Sequence, residues 1–245
     1  MSILSINQLS YCFGSRPVLN GVSFSVESSS FTGIVGPNGS GKTTLLKLLQ
    51  RTLAPAKGSI ELFGRDLRSY SSRELAKKTA SVAQRPVFSF PFLAEQFVLL
   101  GRTPYLNFLK RESLIDKKVA EEAMLQTDSL CFAHRPISEL SAGELQRVCI
   151  AAALAQEPEI LLLDEPTNFL DLRQIARLSR LLLRLRTNGM TILCASHDLC
   201  FLKKHAEQIL LLDEGKQIGL GHYEEILSEE RLTTLFEMEP QTNAW

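Results

Sequence analysis

The residues best suited to chemistry in this sequence are Gly36-Pro37-Asn38-Gly39-Ser40-Gly41-Lys42-Thr43, followed by Thr44. Their spacing is GxxxxGK[ST]. Glycines at these places let backbone N–H groups curl toward an anion, and a helix opening just behind them favours negative charge at its head. Lys42 would then reach the β- and γ-phosphates of a nucleoside triphosphate, and the Thr43 hydroxyl would hold Mg²⁺. The bland alternative is a Gly-rich turn with a surface lysine. The loop's place, between a short apolar run and a helical pattern, favours the phosphate reading. The spacing is not the GxGxxG of a dinucleotide site, so hydride transfer is set aside.

A second group follows the apolar run Ile160–Leu163. Asp164 is the natural second anchor for Mg²⁺, and Glu165 could take a proton from an attacking water. Alone, an acidic pair after an apolar strand is usually a strand end. Beside a phosphate loop it becomes a candidate for hydrolysis.

These residues need elements to hold them. Phe31 to Val35 is a short apolar run stopped by Gly36, and Leu45, Leu46, Leu48 and Leu49 suit the buried face of a helix over Thr44 to Arg51. Ile160–Leu163 and Thr191–Ala195 are apolar almost throughout, the pattern of parallel strands covered on both faces. Between them Ile175, Leu178, Leu182 and Leu185 mark one side of a helix that Asn188-Gly189 would end. Strand, helix, strand in that rhythm is a βαβ unit, whose ligands sit at the carboxyl ends of its strands. The N-terminal part alternates apolar and polar residues to about Val26, as half-buried antiparallel strands do. Ile209–Leu212, Asp213-Glu214-Gly215 and Lys216–Ile218 read as a hairpin. Helical patterns dominate from about 87 to 155, over Ala94–Leu100, Lys117–Leu125 and Glu144–Ala155. The expected fold class is therefore α/β: a single domain over 1–245. Its phosphate-loop core comprises 1–86 and 156–245, with an N-terminal antiparallel β part, and a helical sub-domain is inserted at 87–155.

Composition narrows the function classes. Lys plus Arg equals Asp plus Glu at 27 each, which argues against nucleic acid as a partner. No apolar run approaches the roughly 18–20 residues that span a bilayer, and no signal peptide is visible. The five cysteines are scattered and never spaced CxxC, so neither a disulfide frame nor a zinc site is expected. A cytoplasmic chain is the expectation.

At this point the sequence resembles the ABC ATPase family over nearly its whole length. Leu140-Ser141-Ala142-Gly143-Glu144 lies where the family carries its LSGGQ signature, with Ala142 and Glu144 in place of the usual glycine and glutamine. Physically it is a small-residue turn opening a helix. In the family, Ser141 and Gly143 would close over ATP held by a second copy, which implies a homodimer. Gln84 resembles the glutamine that senses Mg²⁺ and the attacking water. Thr167 to Asp171 resembles the D-loop, with Asp171 facing the partner subunit, and His197 resembles the switch histidine that contacts the γ-phosphate. Phe13, before Gly14, resembles the adenine-stacking aromatic, with Tyr11 as the fallback.

The resemblance thus implies ATP and Mg²⁺ as cofactors. Gly36 to Thr44, Phe13, Ser141, Gly143 and Asp171 would bind nucleotide. Glu165, His197 and Gln84 would be catalytic, and Thr43, Gln84 and Asp164 would hold the metal. Leu99-Leu100-Gly101-Arg102-Thr103-Pro104-Tyr105, Thr167-Asn168-Phe169-Leu170-Asp171 and the short stretch after the final hairpin resemble one branch. Its members are ATPases of bacterial importers for iron–siderophore, haem and cobalamin. That branch implies membrane permease subunits as partners on the cytoplasmic face of the membrane, and indirectly an extracytoplasmic solute-binding protein. Arg85–Phe92, with Phe88, Phe90 and Phe92, is the candidate surface for the permease, the alternative being that these aromatics pack the core of the insertion itself. An exporter subunit and a soluble ABC ATPase of DNA repair or translation are the other readings.

Overall fold

The computed structural model describes residues 2–84, 90–106 and 111–228. From the N-terminus come β1 (Ser2–Phe13), β2 (Arg16–Glu27), β3 (Phe31–Val35), α1 (Lys42–Leu49), β4 (Lys57–Leu62) and β5 (Arg65–Asp66). Next follow α2 (Ser72–Lys78), β6 (Thr79–Val82), α3 (Ala94–Leu99), α4 (Leu114–Gln126), α5 (Ala142–Leu154), β7 (Ile160–Asp164) and α6 (Leu172–Thr187). β8 (Thr191–Ala195), α7 (Leu199–His205), β9 (Gln208–Asp213), β10 (Lys216–Gly221) and α8 (Tyr223–Ile226) complete the described chain. The chain divides into two compact units, Met1–Leu67 with Leu193–Trp245, and Arg68–Ile192.

The first unit contains the expected antiparallel part, a four-stranded sheet in the order β2-β1-β4-β5. Leu4, Ile6 and Leu9 of β1 and Val22, Phe24 and Val26 of β2 are buried, while intervening residues are more exposed. That alternation is what a sheet with one dry face requires. β4 and β5 extend the sheet beyond the strands expected from the sequence. Elsewhere in this unit β3 is buried at all five positions and runs parallel to β9, from Thr32↔Gln208 to Val35↔Leu211. β10 turns back antiparallel to β9 as the expected hairpin. α7 packs its Phe201 and buried His205 around Phe31, with the His205 ring stacked at 5.8 Å from that of Phe31. α1 begins at Lys42, two residues earlier than the leucine pattern indicates, because Gly41 already serves as its N-cap.

In the second unit β6 and β7 run parallel in register from Thr79↔Ile160 to Val82↔Leu163. α6 buries Leu178, Leu182 and Leu185 of the expected stripe, leaves its fourth member Ile175 half-buried, and ends at Asn188 with Gly189 at φ 98°. The described part of the helical insertion is α3, α4 and α5, tied together by Arg102. This side chain is 4% exposed; its Nε donates to Asp116 at 3.2 Å, and its Nη1 donates to Glu157 and to the Ala155 carbonyl, each at 2.7 Å. The Tyr105 ring lies 3.8 Å under the guanidinium. Asp116 also caps α4 through Ser113, and those hydrogen bonds, with Arg102 beside it, hold its carboxyl below the usual range. Removing one partner from such a buried pair strands the other charge, so this network is costly to break. Among the described residues no helix is long and apolar enough to cross a membrane.

Candidate functional site

The phosphate loop spans the gap between β3 and α1 in the first unit. A Cβ at Gly36 would fall 2.1 Å from the Leu212 carbonyl oxygen and 2.6 Å from Ser40 Oγ, so only glycine fits there. Gly41, at φ 103°, opens α1 with no side-chain cap and no acid in the first turn. Lys42 is nearly buried; its Nζ donates to the carbonyls of Gly36 at 2.7 Å and Pro37 at 3.1 Å, folded back across the loop. The Ser40 hydroxyl is buried and makes no hydrogen bond among the described residues. An uncapped helix head, an orphaned buried hydroxyl and an ammonium at the loop mouth together fit an anion.

His197 belongs to the same unit and leaves β8 at the same strand edge. Ser196, fully buried, donates its N–H to the Ile34 carbonyl of β3 at 3.1 Å, two residues before Gly36. Its hydroxyl accepts from the Asp198 N–H, and Asp198 in turn caps α7 by accepting from the Phe201 N–H at 2.9 Å. These bonds brace an exposed His197 from both sides. The bracing residues Ser196 and Asp198 carry no motif of their own; only their adjacency to His197 signals them. Phe13 ends β1 and is 53% exposed, whereas Tyr11 is half-buried and meets it edge-on at 4.9 Å. Of the two aromatics, Phe13 presents the freer face.

The second unit holds the acidic group. The parallel register of β6 and β7 puts Gln84, two residues past Val82, and Asp164-Glu165 at the same carboxyl edge. Glu165 takes φ 51°, a left-handed conformation that non-glycine residues seldom adopt and that concentrates at functional positions. Thr43 in the first unit, and Asp164 and Gln84 in the second, offer hydroxyl, carboxylate and amide oxygens. Mg²⁺ takes such hard donors sparingly and relies on substrate phosphates and water for the rest. Among the described residues no three His, Cys, Asp or Glu side chains form a cage. Each of these oxygens, taken by itself, is a hard donor of the kind Mg²⁺ accepts.

The signature segment is the N-terminus of α5. Ser141 is the N-cap; its hydroxyl accepts from the Glu144 N–H at 3.4 Å, and the Glu144 carboxylate accepts from the Ser141 N–H at 2.8 Å. Those bonds, with Arg135 at 3.3 Å, lower the Glu144 carboxyl below its ordinary value. Gly143 approaches α6 so closely that a Cβ would meet the Gln174 amide at 2.3 Å. Asp171 caps α6 in the same way, accepting from the Gln174 N–H at 2.8 Å. Ser141 and Asp171 therefore already serve as helix caps. Arg135 and Gln174 were not foreseen, because their partners are nine residues or more away in the chain or on another helix. Of the expected permease surface, Arg85–Ser89 lies outside the described residues; Phe90 is exposed and stacks edge-on with the partly buried Phe92 at 6.1 Å.

The family described as ABC transporter matches residues 19–168 of this chain. The ABC transporter ATP-binding protein YvrA of Bacillus subtilis (strain 168), itself uncharacterized, is 44% identical over 84% of this chain; the chain spans about half of that relative, 47% of its length. The iron(3+)-hydroxamate import ATP-binding protein FhuC of the same strain is 34% identical over 99% of this chain and 93% of its own. Among solved structures, an ABC transporter described as of metal-chelate type, in an inward-facing conformation, aligns with a TM-score of 0.86. It is 29% identical over 97% of this chain and 90% of that one.

Proposed function

Because this chain belongs to the ABC transporter family, we propose that it is the ATP-hydrolysing subunit that powers import of an iron chelate, haem, cobalamin or a similar metal-related solute through a separate membrane permease. The observation that carries the reading is the head of α1. It is uncapped, the Ser40 hydroxyl just before it is buried with no hydrogen bond among the described residues, and Lys42 folds back onto the Gly36 and Pro37 carbonyls of the loop. The importer reading rests on likeness to FhuC and to the metal-chelate transporter. An exporter subunit and a soluble ABC ATPase are not favoured.

In this reading Lys42 leaves the carbonyls of Gly36 and Pro37 for the β- and γ-phosphates, and the Gly36–Thr44 backbone cradles them. Phe13 stacks on the adenine. Mg²⁺, when bound with ATP, neutralises charge building up between the outer phosphates, and Thr43, Asp164 and Gln84 are the residues to hold it. Glu165 accepts a proton from the attacking water while His197 donates a hydrogen bond toward the γ-phosphate. Ser141, Gly143 and Asp171 act on nucleotide held by a second copy, so a homodimer is the working form. Arg85–Phe92, of which Phe90 is exposed, is the surface that would receive a short helix of the permease on the cytoplasmic face. An extracytoplasmic solute-binding protein would deliver the cargo to that permease.

Two measurements test this. Glu165→Gln should keep ATP binding and lower turnover on the order of 100-fold or more; normal turnover removes Glu165 from its role. Affinity purification of the chain from detergent-solubilised membranes should bring down a permease with many spans. Ribosomal or DNA-repair partners alone would overturn the transport reading and leave the ATPase standing.

A further inference from the structure

The chain as a whole has no net charge, but α6 does not share that balance. Its 16 residues, LRQIARLSRLLLRLRT, contain five arginines and no acid. Arg173, Arg177, Arg180 and Arg184 recur at intervals of four, three and four, so they stack along one stripe of the helix. Like charges one turn apart repel, and a helix bearing such a row is stabilised by whatever anion neutralises it.

Three of these arginines border a cavity of about 500 Å³ that lies wholly within the second unit, between α6 and the α5 side. Arg147 of α5 enters from the opposite wall, with its guanidinium 5.1 Å from the centre of the Phe132 ring. Its Nε is buried and makes no hydrogen bond among the described residues. The other partners of the group are carbonyls: Arg180 donates to Ala176 at 3.3 Å and Arg184 to Gln126 at 2.6 Å. Among the described residues none of the four pairs with a carboxylate. Among the described residues Asp128 is the sole acid lining the cavity, against four guanidinium groups.

We infer that this cavity is a second anion site, distinct from the phosphate loop, for a small molecule bearing two or more phosphate groups. The volume falls within the range of small-ligand sites, ~300–1,000 Å³. Guanidinium forks match phosphate oxygens two at a time, and the orphaned Arg147 Nε supplies a donor that burial has already stripped of water. Extended nucleic acid would need only the α6 stripe; here Arg147 of α5 faces that stripe across an open cleft, so the charges approach one ligand from two helices.

The test uses pyrophosphate on the full chain carrying Lys42→Ala, which disables the phosphate loop, and isothermal titration calorimetry. One site should remain. Adding Arg177→Gln and Arg180→Gln should weaken it on the order of tenfold or more, the worth of a charge-assisted pair. Both arginines lie outside the buried core, so the fold survives, and the anion-free melting midpoint should rise as repulsion is relieved. Lysines at 177 and 180 should also weaken binding, because the planar fork is lost. Absence of the site, heat unchanged by the substitutions, lysine variants that bind as well as arginine, or a lowered melting midpoint would each overturn the proposal. Arg147→Met, with a melting curve to confirm folding, checks the opposite wall independently and should lose binding as well.

Discussion

The heads of α1 and α5 align residue for residue: Gly41-Lys42-Thr43-Thr44 against Ser141-Ala142-Gly143-Glu144. Both begin with small residues, yet their electrostatics are opposite. At α5 the serine hydroxyl and the Glu144 carboxylate satisfy each other's backbone donors, and negative charge already sits at the positive end of the helix. At α1 no side chain caps the helix and no acid enters the first turn. The α5 head carries its own cap before any second copy approaches; the α1 head carries no side-chain cap. At the third helical position the difference is Thr44 against Glu144.

That comparison can be broken by experiment. The largest effect is expected from Lys42→Ala, which should weaken ATP binding about 10- to 100-fold, the worth of hydrogen bonds to a charged group; unchanged affinity in a nucleotide titration would dissolve the contrast. Thr44→Glu makes α1 resemble α5. ATP affinity should fall about tenfold through like-charge repulsion, while the nucleotide-free melting midpoint holds or rises. Ser141→Ala should do the reverse, costing about 0.5–2 kcal/mol of stability in thermal unfolding and leaving ATP affinity of the isolated chain unaltered.

The smallest effect is pH-dependent. The Glu144 carboxyl is depressed in the folded chain, so its stabilising contribution is present above its unfolded value, about 4.3, and disappears as pH falls through the folded one. Melting curves between about pH 5 and 3 should therefore be flatter for Glu144→Gln than for the parent. Asp116, depressed in the same direction, loses its share in both proteins and drops out of the difference.

Much of this was legible in the sequence, for local reasons. β3, β7 and β8 are continuous apolar runs, so their polar exits at Gly36, Asp164-Glu165 and His197 could be placed by counting. The Leu178, Leu182 and Leu185 stripe of α6 and its stop at Gly189 followed from period and cap alone. α2 gave little sign: Leu75 is its one buried side chain, so no periodicity announces it, although Ser71 and Glu74 do form a capping box. The Arg102 network was invisible because Asp116 and Glu157 lie 14 and 55 residues away. The basic row on α6 was written plainly at intervals of four, three and four, but a balanced total charge concealed it. What joins Arg147 to that row is packing between two helices, which no local pattern records.

Glu165 raises a matter of engineering. A side chain held at φ 51° costs about 1 kcal/mol or more that glycine in its place would not. A library of this protein screened for heat resistance alone would therefore drift toward Glu165→Gly, and each such winner would be a sturdier chain with its proposed base deleted. Screens on this fold should score turnover in the same round as survival, because Glu165 is the one proposed catalytic residue among the nine described non-glycine positions with positive φ.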